Sequence, residues 1–225
     1  MIKAIVFDFD GVILESVDIK TKAFIKLYEN YPPKIKEEVK RYHLKHLGIS
    51  RYEKIFHFQK HLINEDSSQS KINELAQTFQ NLVLSQVILC KFVNGSKEFL
   101  NSYKNKIDCH IATGTPQREI EIIIKNKKIR DCFVSIYGSP ASKEEIISNI
   151  LNKYKYGNSE VLMVGDALTD FQAASATKVN FIGRVARGTK SPFPKNQLII
   201  DDLTMLSYYI NRPYDHDETE SKRIT

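Results

Sequence analysis

Short runs of consecutive apolar residues alternate along most of the chain with stretches in which apolar positions recur every three or four residues. The first run covers residues 3–7 and breaks off into Asp8-Phe9-Asp10-Gly11. Residues 107–112, 132–137, 160–164 and 179–182 repeat the pattern, and 198–200 is a candidate sixth. Continuous apolar runs of this length, ending in polar loops, mark parallel strands buried on both faces. Between them, Ile120, Ile123 and Ile124 fall on one helix face, as do Ile146, Ile147, Ile150, Leu151 and Tyr154. Strands alternating with helices over short connections predict an α/β fold with a doubly wound parallel sheet. Such a sheet binds ligands beyond the carboxyl ends of its strands.

The rhythm fails between residues 17 and 89. No strand pattern occurs there, and Leu75, Phe79, Leu82 and Val83 form an amphipathic stripe. Pro32-Pro33, Gly48 and residues 64–70 break the helical patterns. The expected organisation is a core made of residues 1–14 and 92–211, with an all-helical insert over 15–91. The polar tail, 212–225, is expected to be disordered.

Composition sets outer limits. A chain of 225 residues with 42% hydrophobic and 27% charged residues suits one compact domain or one domain carrying a large insert and excludes a disordered chain. It has no run of about 18 apolar residues to cross a membrane, and its N-terminus lacks the pattern of a signal peptide. Cys90, Cys109 and Cys132 show neither metal spacing nor an even-numbered disulfide framework, so a reduced cytoplasmic protein is expected. The net charge of +6 invites a nucleic-acid partner or anionic substrates. The lysines are scattered over helix surfaces rather than gathered in a block, so the expected partner is a small molecule, with no nucleic acid or membrane. A monomer or weak dimer is expected.

Candidate chemistry lies just after the strands. Asp8 and Asp10 alternate at the end of the first, and two carboxylates so close repel unless a cation or a shared proton intervenes. Their pattern fits a magnesium site with one carboxylate free to attack, although Asp-Gly is also a common turn. Thr113-Gly114-Thr115-Pro116 follows the second strand and offers a hydroxyl and backbone N–H groups, with Pro116 suited to a first helical turn. Lys143 opens the isoleucine-striped helix, where a cation opposes the helix dipole unless an anion faces it. Asp166 and Asp170 follow the fourth strand one helical turn apart, and helix capping explains one of them better than both. Taken singly, the Thr113 and Lys143 features have ordinary structural explanations. Taken together, four such segments at one end of one sheet do not.

In that order the segments resemble the haloacid dehalogenase superfamily, specifically its branch of phosphoglycolate phosphatases and β-phosphoglucomutases with a helical cap. The resemblance spans about residues 1–210. It implies that Asp8 is the nucleophile, forming an aspartyl-phosphate, and that Asp10 is the general acid and base. It implies that Gly11, Thr113, Gly114 and Lys143 bind phosphate. Mg2+ would be held by Asp8, the Asp10 carbonyl and Asp166. Asp170 would orient Lys143 or a metal-bound water. Dehalogenases of this superfamily lack the second aspartate, so Asp10 points to phosphate-ester chemistry. Asp10 would have to be kept neutral by its surroundings during attack. The insert occupies the position of the family's cap. Within it, 46–54 looks like a cap loop entering a helix, with Arg51 the foremost substrate contact and Lys54 and His43 behind it. The implied activity is a Mg2+-dependent phosphatase acting on a small organic phosphate monoester of sugar, polyol or glycolate type. A phosphomutase of the same fold is the alternative, and a non-catalytic binding protein the remaining one.

Overall fold

The apolar runs build one sheet. The computed structural model describes residues 1–211, so the expectation for 212–225 lies outside the described residues. The strands are β1 (Ala4–Phe7), β2 (Asp108–Pro116), β3 (Ser135–Ser139), β4 (Val161–Gly165), β5 (Asn180–Arg184) and β6 (Ile199–Ile200). They lie in the order β3-β2-β1-β4-β5-β6, and every pairing is parallel. The fold is therefore the expected α/β doubly wound sheet.

Period-two alternation explains why β1 is apolar throughout. Ile5 and Phe7 join one buried cluster, with α5 (Ser96–Tyr103), α6 (Gln117–Asn126) and the short α9 (Leu206–Ile210). Ala4 and Val6 join the other, with α7 (Lys143–Tyr154) and α8 (Leu168–Thr177). Both faces are thus covered, as a parallel sheet requires. β1 is central. The chain leaves it to form β2 and β3 on one side and returns to form β4 on the other. This is the reversal of strand order that opens a crevice above a sheet. Asp8 sits at that point, its N–H donating to the Val164 carbonyl at 2.9 Å.

Residues 17–89 form α1 (Val17–Leu27), α2 (Pro33–Lys45), α3 (Arg51–His57) and α4 (Gln69–Leu89), with a π turn, Phe58–Leu62, extending α3. Pro32 caps α2 and Pro33 is its first residue, a position that needs no N–H donor. The segments that enter and leave this helical stretch run side by side. Leu14 bridges Phe92, and the Val93 N–H donates to the Ile13 carbonyl at 3.0 Å. Inside the helices, Phe24, Tyr28, Phe58 and Phe79 are buried, with Phe24 and Phe79 ring centres 4.2 Å apart.

The strand ends differ from the sequence reading. β2 continues past residue 112 through Thr113 and Thr115, whose branched side chains favour extended backbone. Its register against β3 shifts between Ala112 and Pro116. Pro116 is the cap residue of α6, in extended conformation, rather than part of its first turn. β3 begins at Ser135 because Arg130–Cys132 form a 3-10 turn closed by the Arg130 side chain on the Phe133 carbonyl at 2.7 Å.

Phe58 meets Phe24, Tyr28 and Tyr42 edge-on at 5.5–5.8 Å between ring centres. Phe58→Ala is expected to cost about 3–5 kcal/mol, the range for emptying a buried aromatic site. Urea unfolding should show it as a lower midpoint with an unchanged slope.

Candidate active site

Three strand ends, those of β1, β2 and β4, bring their polar residues to one cavity of about 50 Å³. Its walls include Asp8, Asp10, Thr113, Gly114, Thr115 and Asp166 from the sheet side, and Lys20, His43, Gly48, Arg51 and Lys54 from the helices opposite. By the usual measure this volume holds a few waters, hence a group the size of a phosphate and little more.

On the sheet side, Asp8 is buried and its Oδ1 lies 3.1 Å from Lys143 Nζ, though outside hydrogen-bonding geometry. Lys143 also contacts Asp170 Oδ1 directly. The Ser142–Glu145 capping box starts α7 at Lys143, which is how a lysine comes to stand at a helix N-terminus. Asp8 and Asp170 offset its unfavourable alignment with the dipole. Asp170 caps as well as binds: its Oδ2 accepts the Ala167 N–H at 3.0 Å. Gly165 makes room for this, since a Cβ there would stand 2.2 Å from that of Asp170.

The electrostatics are those of crowded acids. Burial lifts the Asp8 carboxyl well above its ordinary range; Lys143 opposes this, while Asp170 and Asp10 add to it. Asp166 is raised by burial and by the charges of Asp8 and Asp170. For Lys143, burial favours the neutral form, but Asp170 and Asp8 outweigh it and hold the ammonium charged. Carboxylate oxygens of Asp8, Asp166 and Asp170 lie within 4.8 Å of one another. Since Asp170 is committed to Lys143 and Ala167, Asp8 and Asp166 are the donors open to a cation. The donor set is all oxygen and anionic and one buried Asp8 oxygen has no hydrogen-bond partner, which fits a hard divalent ion such as Mg2+.

Asp10 is held differently. Ser16 donates to its Oδ1 at 2.5 Å, Thr115 to its Oδ2 at 2.8 Å, and Lys20 forms an ion pair with it. Lys20 also donates to Thr115 Oγ1 at 2.7 Å. Burial alone would raise the Asp10 pKa, but Lys20 and these hydrogen bonds outweigh it, and the carboxyl falls below its ordinary value. The surroundings therefore favour the ionised form, the reverse of the neutral acid expected. Its side chain is also taken up by these partners rather than joined to the carboxylate cluster.

Gly11 needs correction too. Its φ of +78° and the absence of a side chain let the loop pass Asp166, whose Oδ2 would lie 2.2 Å from a Cβ. Its N–H, however, is donated to the Leu14 carbonyl at 2.8 Å, so it is not free for a phosphate oxygen. Thr113 is buried, and its Oγ1 accepts the Thr115 N–H at 3.2 Å, which leaves its hydroxyl proton available.

Opposite, the loop before α3 closes over the sheet. Gly48 has φ +84° and lies so near the core that a Cβ would meet Thr169 Oγ1 at 2.2 Å and Lys143 Nζ at 3.2 Å. Thr169 Oγ1 donates to the Leu47 carbonyl at 3.0 Å, and Gly114 passes equally close beneath Gly48. Ser50 caps α3, accepting the Tyr52 N–H at 3.2 Å. Arg51 is not a solvated charge. It is 5% exposed, pairs with the buried Glu119 of α6 at 2.5 Å and stacks over Phe79 at 4.8 Å. Arg51 Nη1 and Glu119 Oε2 are buried without partners. Lys54 and His43 are buried beside each other, Nζ to Nδ1 3.0 Å.

The sequence matches the haloacid dehalogenase-like hydrolase profile over residues 5–184. The chain belongs to that family. Solved structures agree on the fold. CbbY from Rhodobacter sphaeroides in complex with phosphate is 17% identical, covers 92% of this chain and 96% of its own, and superposes with a TM-score of 0.73. The β-phosphoglucomutase of Clostridium difficile is 21% identical over 94% of this chain and 100% of its own, with a TM-score of 0.72. The HAD-hydrolase YfnB of Bacillus subtilis, bound to magnesium, is 15% identical over 94% and 99%, with a TM-score of 0.71. Among curated proteins none matches the sequence. In this hydrolase no helix among the described residues is long and apolar enough to cross a membrane.

Sequence reasoning missed Lys20, Ser16, Thr115, Glu119 and Arg184. Ser16 and Lys20 are spaced i,i+4 just beyond the Asp8–Asp10 loop, a signal that was available. Arg184, at the end of β5, braces that loop by donating to the Gly11 carbonyl at 3.1 Å and to Glu15 Oε1 at 2.6 Å. Nothing local to residue 184 announces this.

Arg51→Ala leaves Glu119 as an unpaired buried charge and is expected to cost about 3–5 kcal/mol. Arg51→Met with Glu119→Leu should recover most of that loss. Thermal unfolding of Arg51→Met, of Glu119→Leu and of the double variant gives the coupling; additive losses would mean that the pair does not act as one unit.

Proposed function

We propose that this hydrolase is a phosphatase that cleaves a small organic phosphate monoester by way of an aspartyl-phosphate, with Mg2+ as cofactor. The observation that carries this reading is the buried Asp8 carboxylate, set against Lys143 and open to the same cavity as Thr113 and Asp166. Phosphoryl transfer needs an in-line nucleophile and cations around the equatorial oxygens. Asp8 supplies the first, and Lys143 stands ready for the second.

In this reading, Asp8 attacks phosphorus as the bond to the leaving oxygen breaks, and that oxygen takes its proton from Asp10. Thr113 and the Gly114 backbone hold the phosphoryl oxygens. Water then attacks phosphorus with Asp10 as its base, releasing inorganic phosphate and restoring Asp8. The ionised, Lys20-paired Asp10 suits this second step as it stands. For the first, Asp10 must gain a proton, and Lys20 must yield or share the contact. Asp8, the Asp10 carbonyl and Asp166 would hold the metal, which when bound offsets the charge of the carboxylates and the incoming phosphate. Residues 15–91 act as a cap, with Gly48 and Arg51 excluding water from the seam. Similarity to a β-phosphoglucomutase and to a CbbY bound to phosphate supports phosphate-ester chemistry at this site.

Asp8→Asn is expected to lower turnover of nitrophenyl phosphate by roughly 10⁴-fold or more with the thermal midpoint preserved. Near wild-type turnover would overturn the covalent route, and an isomerised ester in place of inorganic phosphate would mark a mutase. Asp10→Asn should slow single-turnover phosphorylation by about 10²–10⁴-fold for an alkyl phosphate and by far less for nitrophenyl phosphate, whose leaving group needs no proton. Equal losses would remove the acid role.

A further inference from the structure

Lysines dispersed along the sequence are gathered by the fold. In a parallel sheet every crossover returns to the amino edge of the strands, so α5, α6, α7 and α8 all end there, opposite the cavity. Each of the first five strands is entered past a cation. Lys3 precedes β1, Lys178 precedes β5, and Lys104 and Lys106 precede β2. The approach to β3 carries Lys125, Lys128 and Arg130, and the approach to β4 carries Lys153 and Lys155. All nine are exposed. Lys127 shares these segments but is half-buried and reaches away from the edge, to the Cys90 carbonyl and over Phe92. The acidic residues there are Asp108, Asp131 and Glu160. The nine cations and three acids give the edge a net charge of +6, which is also that of the entire chain, so the remaining residues balance to zero. Lys3 pairs with Glu160 at 2.6 Å and Lys104 with Asp131 at 3.8 Å, while Asp108 accepts from the Tyr156 hydroxyl. Among the described residues the other seven cations have no carboxylate within 4.0 Å.

Local structure accounts for part of this charge. A helix C-terminus favours a cation, and four of them bring about −2 to the edge, well short of its excess. Nor does the dipole explain which residues close the helices. Lys128, Lys155 and Lys178 stand at the ends of α6, α7 and α8 in the left-handed conformation, with φ of +57°, +61° and +56°. Glycine is the usual residue there, because a Cβ is strained in that conformation. At three helix ends the chain thus accepts both strain and a charge that glycine would avoid.

The arrangement also indicates the partner. Eight of the nine cations are lysine, a point charge suited to diffuse attraction, whereas the arginine fork reads a single phosphate or base. They spread over both faces of the sheet, since α5 and α6 cover one and α7 and α8 the other, and across five strands, about 20 Å at the usual spacing. A nucleic-acid strand is a line of phosphates whose bases stack on free aromatic rings. Here Tyr154 and Tyr156 stack on each other at 5.8 Å and against the buried His110. A broad field of lysines without free rings matches an anionic plane.

We propose that the amino edge of the sheet docks this hydrolase on an anionic lipid surface, with the cavity at the opposite edge facing away from it. No membrane span is involved, since clustered lysines are drawn to acidic headgroups by charge alone. The sequence reading expects no membrane partner because its lysines are dispersed, and the fold undoes that dispersal.

Co-sedimentation of the full chain with lipid vesicles tests this. The protein should pellet with vesicles of equal parts phosphatidylcholine and phosphatidylglycerol and stay in solution with phosphatidylcholine alone. Binding should hold at about 0.1 M salt and vanish near 1 M, where charges act over only about 3 Å. The variant Lys128→Gly/Lys155→Gly/Lys178→Gly removes three charges at positions whose backbone suits glycine, so its thermal midpoint should be kept. Its partition onto the acidic vesicles should fall by about 100-fold, roughly fivefold for each lysine. A second triplet, Lys106→Gln/Lys125→Gln/Lys153→Gln, should fall as far. The variant Lys22→Gln/Lys34→Gln/Lys40→Gln makes the same change of net charge at exposed positions of α1 and α2, and should bind within about threefold of wild type. An equal loss in that variant would mean that net charge acts rather than this edge, and would overturn the proposal. Failure to bind the acidic vesicles overturns it too, as does tighter binding to duplex or single-stranded DNA at the same salt, which would assign the edge to nucleic acid.

Discussion

Like-charge crowding governs this structure. Asp8, Asp10, Asp166 and Asp170 are brought to the carboxyl ends of β1 and β4, and among the described residues only Lys143 and Lys20 form ion pairs with them. Buried carboxylates that close cannot all remain ionised without compensation. Much of the surrounding architecture serves to place that compensation. The capping box of α7 sets Lys143 at its first residue, the capping contact of Asp170 on Ala167 fixes the carboxylate that receives it, and Gly165 clears the space between them. What is left over is negative and made of oxygen, a donor set that fits a hard divalent cation.

The gathering of these residues at one edge of the sheet was legible because each segment is local. Asp8-x-Asp10-Gly11, Lys143 and Asp166-x-x-x-Asp170 each follow a strand and Thr113-Gly114 lie in the last residues of one, and a parallel sheet places every strand end on one side. Topology does the assembling, so the sequence need only carry the residues. The strands were legible for a related reason: burial on both faces demands largely apolar runs, with β1 and β4 apolar throughout. Their ends were less so, since Thr113 and Thr115 can extend a strand or open a loop, and the β3 partner decides.

The helical side was harder to read because its chemistry is made of tertiary pairs. Arg51 finds Glu119 from 68 positions away, and Lys20 reaches Thr115 across 95. Neither separation leaves a periodic trace. Glu119 stands in the first turn of α6, where the dipole favours an acidic residue whether or not it has a partner. Its burial to 1% exposure comes with the loop before α3 and Arg51 closing against α6, a fact of packing with no counterpart in local pattern. The charge of Arg51 likewise read as a substrate contact when its first partner is within the chain.

These pairs also determine how the seam can hold together. A charge that leaves water is costly unless a partner meets it in the buried state, and the cost falls on whichever partner is left alone. Across the seam, Lys20 meets Asp10, Arg51 meets Glu119, and Thr169 meets the Leu47 carbonyl. Each contact joins a helix or loop of residues 17–89 to the sheet side, so closure and neutralisation are one event. Gly48 and Gly114 allow the two backbones to approach closely enough for those pairs to form. A side chain at either position would separate the surfaces, and separation would strip the buried charges of their partners together rather than one by one. The close glycine contact and the ion pairs are therefore a single constraint: the apposition of two backbones is what lets charged side chains at the seam be buried at all.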